Sequence, residues 1–256
     1  EVIRRIPGVS VIEDKFVMVR GLSQRYNNVW INGAAVPSSE ADARAFSFDI
    51  IPSAQIDNIT VVKTPSSEYP SDYSGGFILI DTKEIPDKDR ADVSFGGSWN
   101  SSASGKPFIT GDMPDPSPAD GFSRNWGTRT RTPYGDLHLS ADLGKSWKFN
   151  GNLLGLMAAA SYSTETRTYT DMQNNLYGVY DVENDRSNYL RFSTDDQYNY
   201  GTRSGAMLNL TFLPSSGGKF RLMNIFNNIS GSRYTWRNGV SAQADLEKSA
   251  EYYQRE

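Results

Sequence analysis

Leu137 to Phe149 reads LHLSADLGKSWKF. Its odd positions hold Leu137, Leu139, Ala141, Leu143, Lys145, Trp147 and Phe149; its even positions hold His138, Ser140, Asp142, Gly144, Ser146 and Lys148. Lys145 alone breaks a period-two split into an apolar and a polar face, as expected of a β-strand with different surroundings on its two sides. The pattern recurs. Leu154, Leu156, Ala158, Ala160 and Tyr162 alternate with Gly155, Met157, Ala159, Ser161 and Ser163. Between Tyr198 and Phe212, the even face carries Ala206, Leu208 and Leu210 and the odd face Arg203, Met207 and Asn209. Val93, Phe95, Gly97 and Trp99 alternate with Asp92, Ser94, Gly96 and Ser98. Phe220 to Trp236 is less clean, since Asn224 falls among its apolar positions and Ile225 and Ile229 fall opposite.

These five strands run well past the usual length of about five or six residues. Short connections, Asn150-Gly151-Asn152 and Pro214 to Lys219, alternate with long polar ones, 100–136 and 170–197. Short turns on one side and long loops on the other fit a transmembrane β-barrel. Trp147, Phe149, Phe212 and Phe220 gather at the short-turn ends, and Trp99, Tyr162, Tyr198, Tyr200, Tyr234 and Trp236 at the other, as two aromatic girdles would. A soluble sandwich alternates too, but its strands are shorter. Leu139, Leu143, Leu156, Ala158, Ala160, Ala206, Leu208 and Leu210 are therefore expected to face lipid. Ser140, Asp142, Ser161, Arg203 and Asn209 are expected to face the lumen. Lys145 is tolerable outward only near the interface, beside Trp147, where its amine can snorkel.

Composition narrows the chemistry. The 256 residues carry 26 Lys and Arg against 30 Asp and Glu, a net charge of −4, which gives no basic face for nucleic acid. Cysteine is absent, excluding disulfide scaffolds, thiol catalysis and thiolate metal sites. His138 is the one histidine and falls on a polar strand face. No catalytic constellation, metal site or cofactor is expected, and the chain does not read as an enzyme. No apolar run of roughly 18 residues suggests a transmembrane helix. The chain opens at Glu1 without Met or an apolar signal segment, so it is expected to be processed or cut from something longer.

Residues 1–88 read differently from 89–256, with the boundary in the charged run from Lys83 to Arg90. KFVMVR (15–20), VWIN (29–32), NITVVK (58–63) and FILIDTK (77–83) are short strands, and Pro52 could open a short helix. The fold class is thus mainly β: a small α+β domain over 1–88, then over 89–256 the first five or so strands of a large antiparallel transmembrane barrel, with a sixth entered after Ala242.

Ile6-Pro7-Gly8-Val9, Val19-Arg20-Gly21-Leu22, Val29-Trp30-Ile31-Asn32-Gly33, Ile56 to Lys63 and Gly75-Gly76-Phe77-Ile78-Leu79-Ile80-Asp81-Thr82-Lys83 resemble, in this order, the plug segments of TonB-dependent outer-membrane receptors. Asn32 stands where many members carry Asp. Thr64 to Ser74 departs from the common form and does not resemble the glycan importers that work with a surface lipoprotein. The resemblance implies an outer-membrane importer, energised by TonB through a segment upstream of Glu1, with a full barrel of about 22 strands. Its partners would be TonB, membrane lipid and an extracellular ligand of unread type; an outer-membrane or surface lipoprotein is left open. The alternative is a structural or docking component of an outer-membrane assembly built on a receptor-like barrel. Arg20 is the candidate for the plug–barrel interface. Ligand candidates are Arg25, Tyr26 and Asn27 in the plug, and Trp126, Arg129 and Arg131 in the long loop.

Overall fold

The structure, a computed structural model, describes residues 6–12, 16–36, 38, 44–46, 48, 51, 55–111, 127–241 and 248–255. Among the described residues the N-terminal domain has six strands: β1 (Val9–Ile12), β2 (Phe16–Val19), β3 (Asn28–Ile31), β4 (Ala34–Ala35), β5 (Ile56–Val62) and β6 (Phe77–Thr82). β1 and β2 pair with each other, and the rest form a sheet in the order β4-β3-β6-β5 with β3 parallel to β6. Asn32 (φ 49°) and Gly33 (φ 82°) make the left-handed two-residue turn between β3 and β4 that the Asn-Gly pair predicts. Val17, Val19, Val29, Ile31, Ile51, Ile78 and Ile80 form the core between the two sheets. The short helix expected at Pro52 lies outside the described residues.

The remainder builds a wall: β7 (Arg90–Ser98), β8 (Phe108–Gly111), β9 (Thr128–Arg131), β10 (Asp136–Phe149), β11 (Asn152–Gln173), β12 (Leu176–Asp181), β13 (Arg186–Leu213), β14 (Phe220–Ser241) and β15 (Lys248–Arg255). The antiparallel order is β15-β14-β13-β11-β10-β7, and β12 folds back on the start of β13. The sequence reading underestimated two regions. Residues 170–197 are not a loop but the ends of β11 and β13 with β12 between them. The connection 100–136 contains the β8–β9 hairpin.

The two faces differ as the alternation requires. Leu139, Leu143, Leu208, Leu222 and Phe226 are exposed on one side, while Met157, Met207, Asn209 and Thr211 are buried on the other, beneath the N-terminal domain. Phe149, Phe212 and Phe220 stack in a row at the short-turn end, with centroids 6.2 and 6.5 Å apart. Ten residues above Phe212 on β13 come Thr202 and then Tyr200. At about 3.3 Å per residue and a tilt near 45°, that distance spans the roughly 25 Å apolar band of an outer membrane. Lys145 points outward with its ammonium 3.7 Å from Asp89 and 5.9 Å from the Trp147 ring centroid, the interfacial setting its parity demands.

Candidate functional site

The buried face of the wall has a filled lower half and an open upper half. In the lower half, the segment after β6 lies flat against β10, β11 and β13. A methyl on Gly155 would sit 2.9 Å from Ile85 Cγ1 and 3.2 Å from the Glu84 carbonyl oxygen; one on Gly144 would sit 3.0 Å from Pro86. Both glycines are there because the segment occupies the space a side chain would need. Polar ties fix it. The Asn209 amide donates to Thr82 Oγ1 at 2.8 Å and to the Lys83 carbonyl at 3.5 Å. The fully buried Gln55 donates through its side-chain amide to Asp142 and to the Ala158 carbonyl, and its backbone carbonyl accepts from Lys83 N at 2.8 Å. Asp142 also pairs with Arg90 at 2.8 Å. At the short-turn end, Glu84 bridges Lys219 and Arg221, the latter at 2.7 Å. The hydrogen bond from Lys219 and the adjacent Arg221 charge hold its carboxyl below the ordinary glutamate value.

The upper half holds a cavity of about 660 Å³. Strand register sets its lining in rows. Gly96, His138, Ser163, Arg203 and Ile229 lie side by side. Ser98 and Asp136 are paired in the next row, which continues through Glu165, Gly201 and Gly231. Arg167 follows above, on β11. It bridges Asp136 (3.6 Å) and Glu165 (3.1 Å). The Asp136 side chain is only 10% exposed, and its Oδ1 is buried with no hydrogen-bond partner among the described residues. Gly96 and Gly201 differ from the lower glycines: a methyl on either would meet nothing closer than 3.8 Å. Packing against the described residues does not require glycine at either position.

The residues singled out from sequence scatter. Arg25 and Tyr26 lie exposed on a 3-10 turn, the guanidinium donating to the phenol at 2.6 Å and sitting 4.7 Å from its ring centroid. Asn27 does not share their surface. It is buried, donating to the Val17 carbonyl at 2.7 Å and accepting from Gly76 N at 3.0 Å, so both ends of its amide are consumed by the domain's own backbone. Its place among ligand contacts is corrected on that ground. Gly75 and Gly76 serve close approach rather than a turn: a methyl on them would meet Asn27 Oδ1 at 2.4 Å and Val19 at 2.8 Å. Arg20 is an exposed turn residue after β2 (φ 57°), its amide donating to the Gly8 carbonyl, and no barrel carboxylate pairs with it among the described residues.

Trp126 lies outside the described residues. Arg129 is exposed on β9. Arg131 stacks 3.9 Å from the Tyr200 ring centroid and 5.5 Å from that of Phe108, which in turn meets Tyr198. Tyr198 and Tyr200 share parity with Leu208, and β13 runs without a register shift against β14. The β8–β9 hairpin therefore straps the outer side of the wall, above the apolar band. Arg131 is directed away from the cavity. Asp136, Glu165, Arg167 and Gly201 were missed as a group, although Glu165 and Arg167 continue the inward parity of Ser161 and Ser163 with charged residues.

Residues 1–77 match the family described as TonB-dependent Receptor Plug Domain. No curated protein matches the chain. Among solved structures, a mutant of the ferric enterobactin receptor PfeA from Pseudomonas aeruginosa is 14% identical with a TM-score of 0.35, covering 97% of this chain and 50% of that one. The siderophore receptor PirA from Pseudomonas aeruginosa is 16% identical with a TM-score of 0.31, covering 97% and 54%. The siderophore receptor PirA from Acinetobacter baumannii is 14% identical with a TM-score of 0.32, covering 93% and 42%. The chain spans about half the length of these structures.

Proposed function

We propose, from the premise that residues 1–77 are the plug domain of a TonB-dependent outer-membrane receptor, that this chain belongs to an importer of an extracellular ligand. On this reading residues 1–88 are the plug and 89–256 the first strands of its barrel. The ligand enters the cavity above the plug, TonB draws on the plug from the periplasmic side, and the lower ties release to open a path. No covalent chemistry is involved. The observation that carries the reading is the contrast across one wall. Its outer face is apolar between two aromatic rows, and its inner face seats the plug through Gln55, Asp142, Asn209 and Glu84 below an open polar cavity. Arg20, Arg25, Tyr26 and Arg129 stay as candidates for interface and ligand contacts that other parts of the receptor complete.

The test is depletion of growth-medium components by cells producing the full-length receptor, with and without functional TonB. At least one component is expected to disappear only when receptor and TonB are both present. Identical depletion profiles would exclude import and leave the docking role.

A further inference from the structure

The outer face of the wall changes chemistry with height, in a fixed order. Lowest is the apolar band, on which Leu208 and Leu222 are exposed. Directly above it the β8–β9 strap brings two guanidinia to the level of Tyr198 and Tyr200. Arg131 rests on the Phe108 and Tyr200 rings. Arg129, two residues along β9 and so on the same side of that strand, is exposed. Neither meets a carboxylate among the described residues. Asp196, the next outward residue after Tyr198, accepts from the Asp171 amide at 3.0 Å, so the cationic level ends there. Higher still, Phe192 keeps the outward parity of Leu208, because β13 pairs with β14 without a register shift from Phe212 to Arg191, and its partner across the strands is Val240. The pairing of β12 passes from Leu176 opposite Arg191 to Tyr177 opposite Tyr189, and the skipped Leu190 brings Tyr189 to the side of Phe192. Ring centroids lie 5.0 Å apart for Tyr177 and Tyr189 and 5.4 Å apart for Tyr189 and Phe192. These three rings and Val240 are each more than half exposed. Phe192 is eight residues beyond Tyr200, which puts the platform roughly 19 Å above it at the same rise and tilt. A contiguous apolar patch outside the band marks a contact.

We propose that this outer column binds a phosphorylated glycolipid of the outer leaflet. Its acyl chains lie on the apolar band, its phosphates at Arg129 and Arg131, and its outlying sugars on Phe192, Tyr189 and Tyr177. Such a lipid carries its acyl chains, phosphorylated sugars and further sugars in the same order as the three levels. Guanidinia pair with phosphate oxygens, and the electron-rich faces of aromatic rings attract the polarised C–H bonds of a sugar ring. Unneutralised positive charge, and continuity with the membrane-facing surface, favour this occupant over a protein. Arg129 is then a contact of lipid rather than of the imported ligand. The assignment rests on the reading of the wall's outer face as the lipid side and concerns lipid selectivity alone.

The experiment titrates purified full-length receptor in detergent with three probes: rough lipopolysaccharide, which carries core sugars; lipid A, which lacks them; and dephosphorylated lipid A. Binding is read by native mass spectrometry. Affinity is expected to fall at least about tenfold when the phosphates are removed, the scale of one charge-assisted hydrogen bond, and several-fold between rough lipopolysaccharide and lipid A. Arg129→Gln with Arg131→Gln should abolish the first difference and keep the second. Tyr189→Ser with Phe192→Ser should do the reverse. Retained heat-modifiable electrophoretic mobility shows that each variant barrel is folded. Equal affinity for lipid A and its dephosphorylated form overturns the proposal, as does equal affinity for rough lipopolysaccharide and lipid A. A photo-cross-linker at Val240 in cells is expected to label lipopolysaccharide, and a protein adduct there instead overturns it too. None of these outcomes touches the import reading, which the TonB-dependent depletion decides separately.

Discussion

The lower and upper halves of the inner wall are built from the same strands, with glycines on the same face, yet one half is filled and the other open. Gly144 and Gly155 are small because Pro86, Ile85 and Glu84 press against them. Gly96 and Gly201 are small with nothing pressing. The first pair lets a segment of backbone seat itself; the second borders the cavity. A glycine in a strand interior is unfavourable in either case, so each pair marks a demand other than strand stability. The surroundings alone tell which demand.

The comparison presupposes which face is inner, and the largest expected effect tests that. Leu208→Arg places a charge at the middle of the apolar band and should cost roughly 2–4 kcal/mol, read as lost insertion into lipid vesicles. Normal insertion would invert both halves at once. Next, Gly155→Val should dislodge the plug segment by about 1–3 kcal/mol of overpacking, seen as faster proteolysis of the plug in the folded barrel. Gly201→Val should leave that rate unchanged, and equal effects would erase the distinction between the halves. Asn209→Ala removes the donor to Thr82 and Lys83 and should weaken plug retention by about 1 kcal/mol in the same assay.

The smallest expected effect is one of pH. Glu84 is held below its ordinary value of 4.5 by Lys219 and Arg221. A depressed folded value means that the tie is fully present above the unfolded value and is lost as pH falls through the folded one. Plug retention should therefore weaken on acidification below about pH 4.5, by under about 1 kcal/mol since Glu84 is a third exposed. Glu84→Gln should flatten that portion of the profile; an unchanged profile would remove Glu84 from the seat.

The barrel wall was legible in sequence where its two sides meet different media. β10, expected over 137–149, runs from Asp136 to Phe149 because lipid and plug impose opposite demands on alternate residues. Above the band that contrast vanishes, so the upper lengths of β11 and β13, together with β12, carry no apolar alternation and read as loop. The β9 strand, Thr128–Arg131, is invisible for the same reason. The cavity was illegible because its elements are a few residues on each of five strands, joined only by register. Asn27 looked like a ligand contact because an asparagine beside Arg25 and Tyr26 in a loop usually faces water, whereas the missing side chains of Gly75 and Gly76 draw it inward.

The segment that lies across Gly144 and Gly155 is also the covalent leash between plug and wall, running from the end of β6 at Thr82 to the start of β7 at Arg90. A plug that comes loose remains tied to its own seat by this short stretch. Re-seating is then a unimolecular event at an effective concentration of the order of millimolar. On the import reading, contacts as modest as the Glu84 bridge would suffice to restore the closed arrangement, while being weak enough to yield to a pull on the plug.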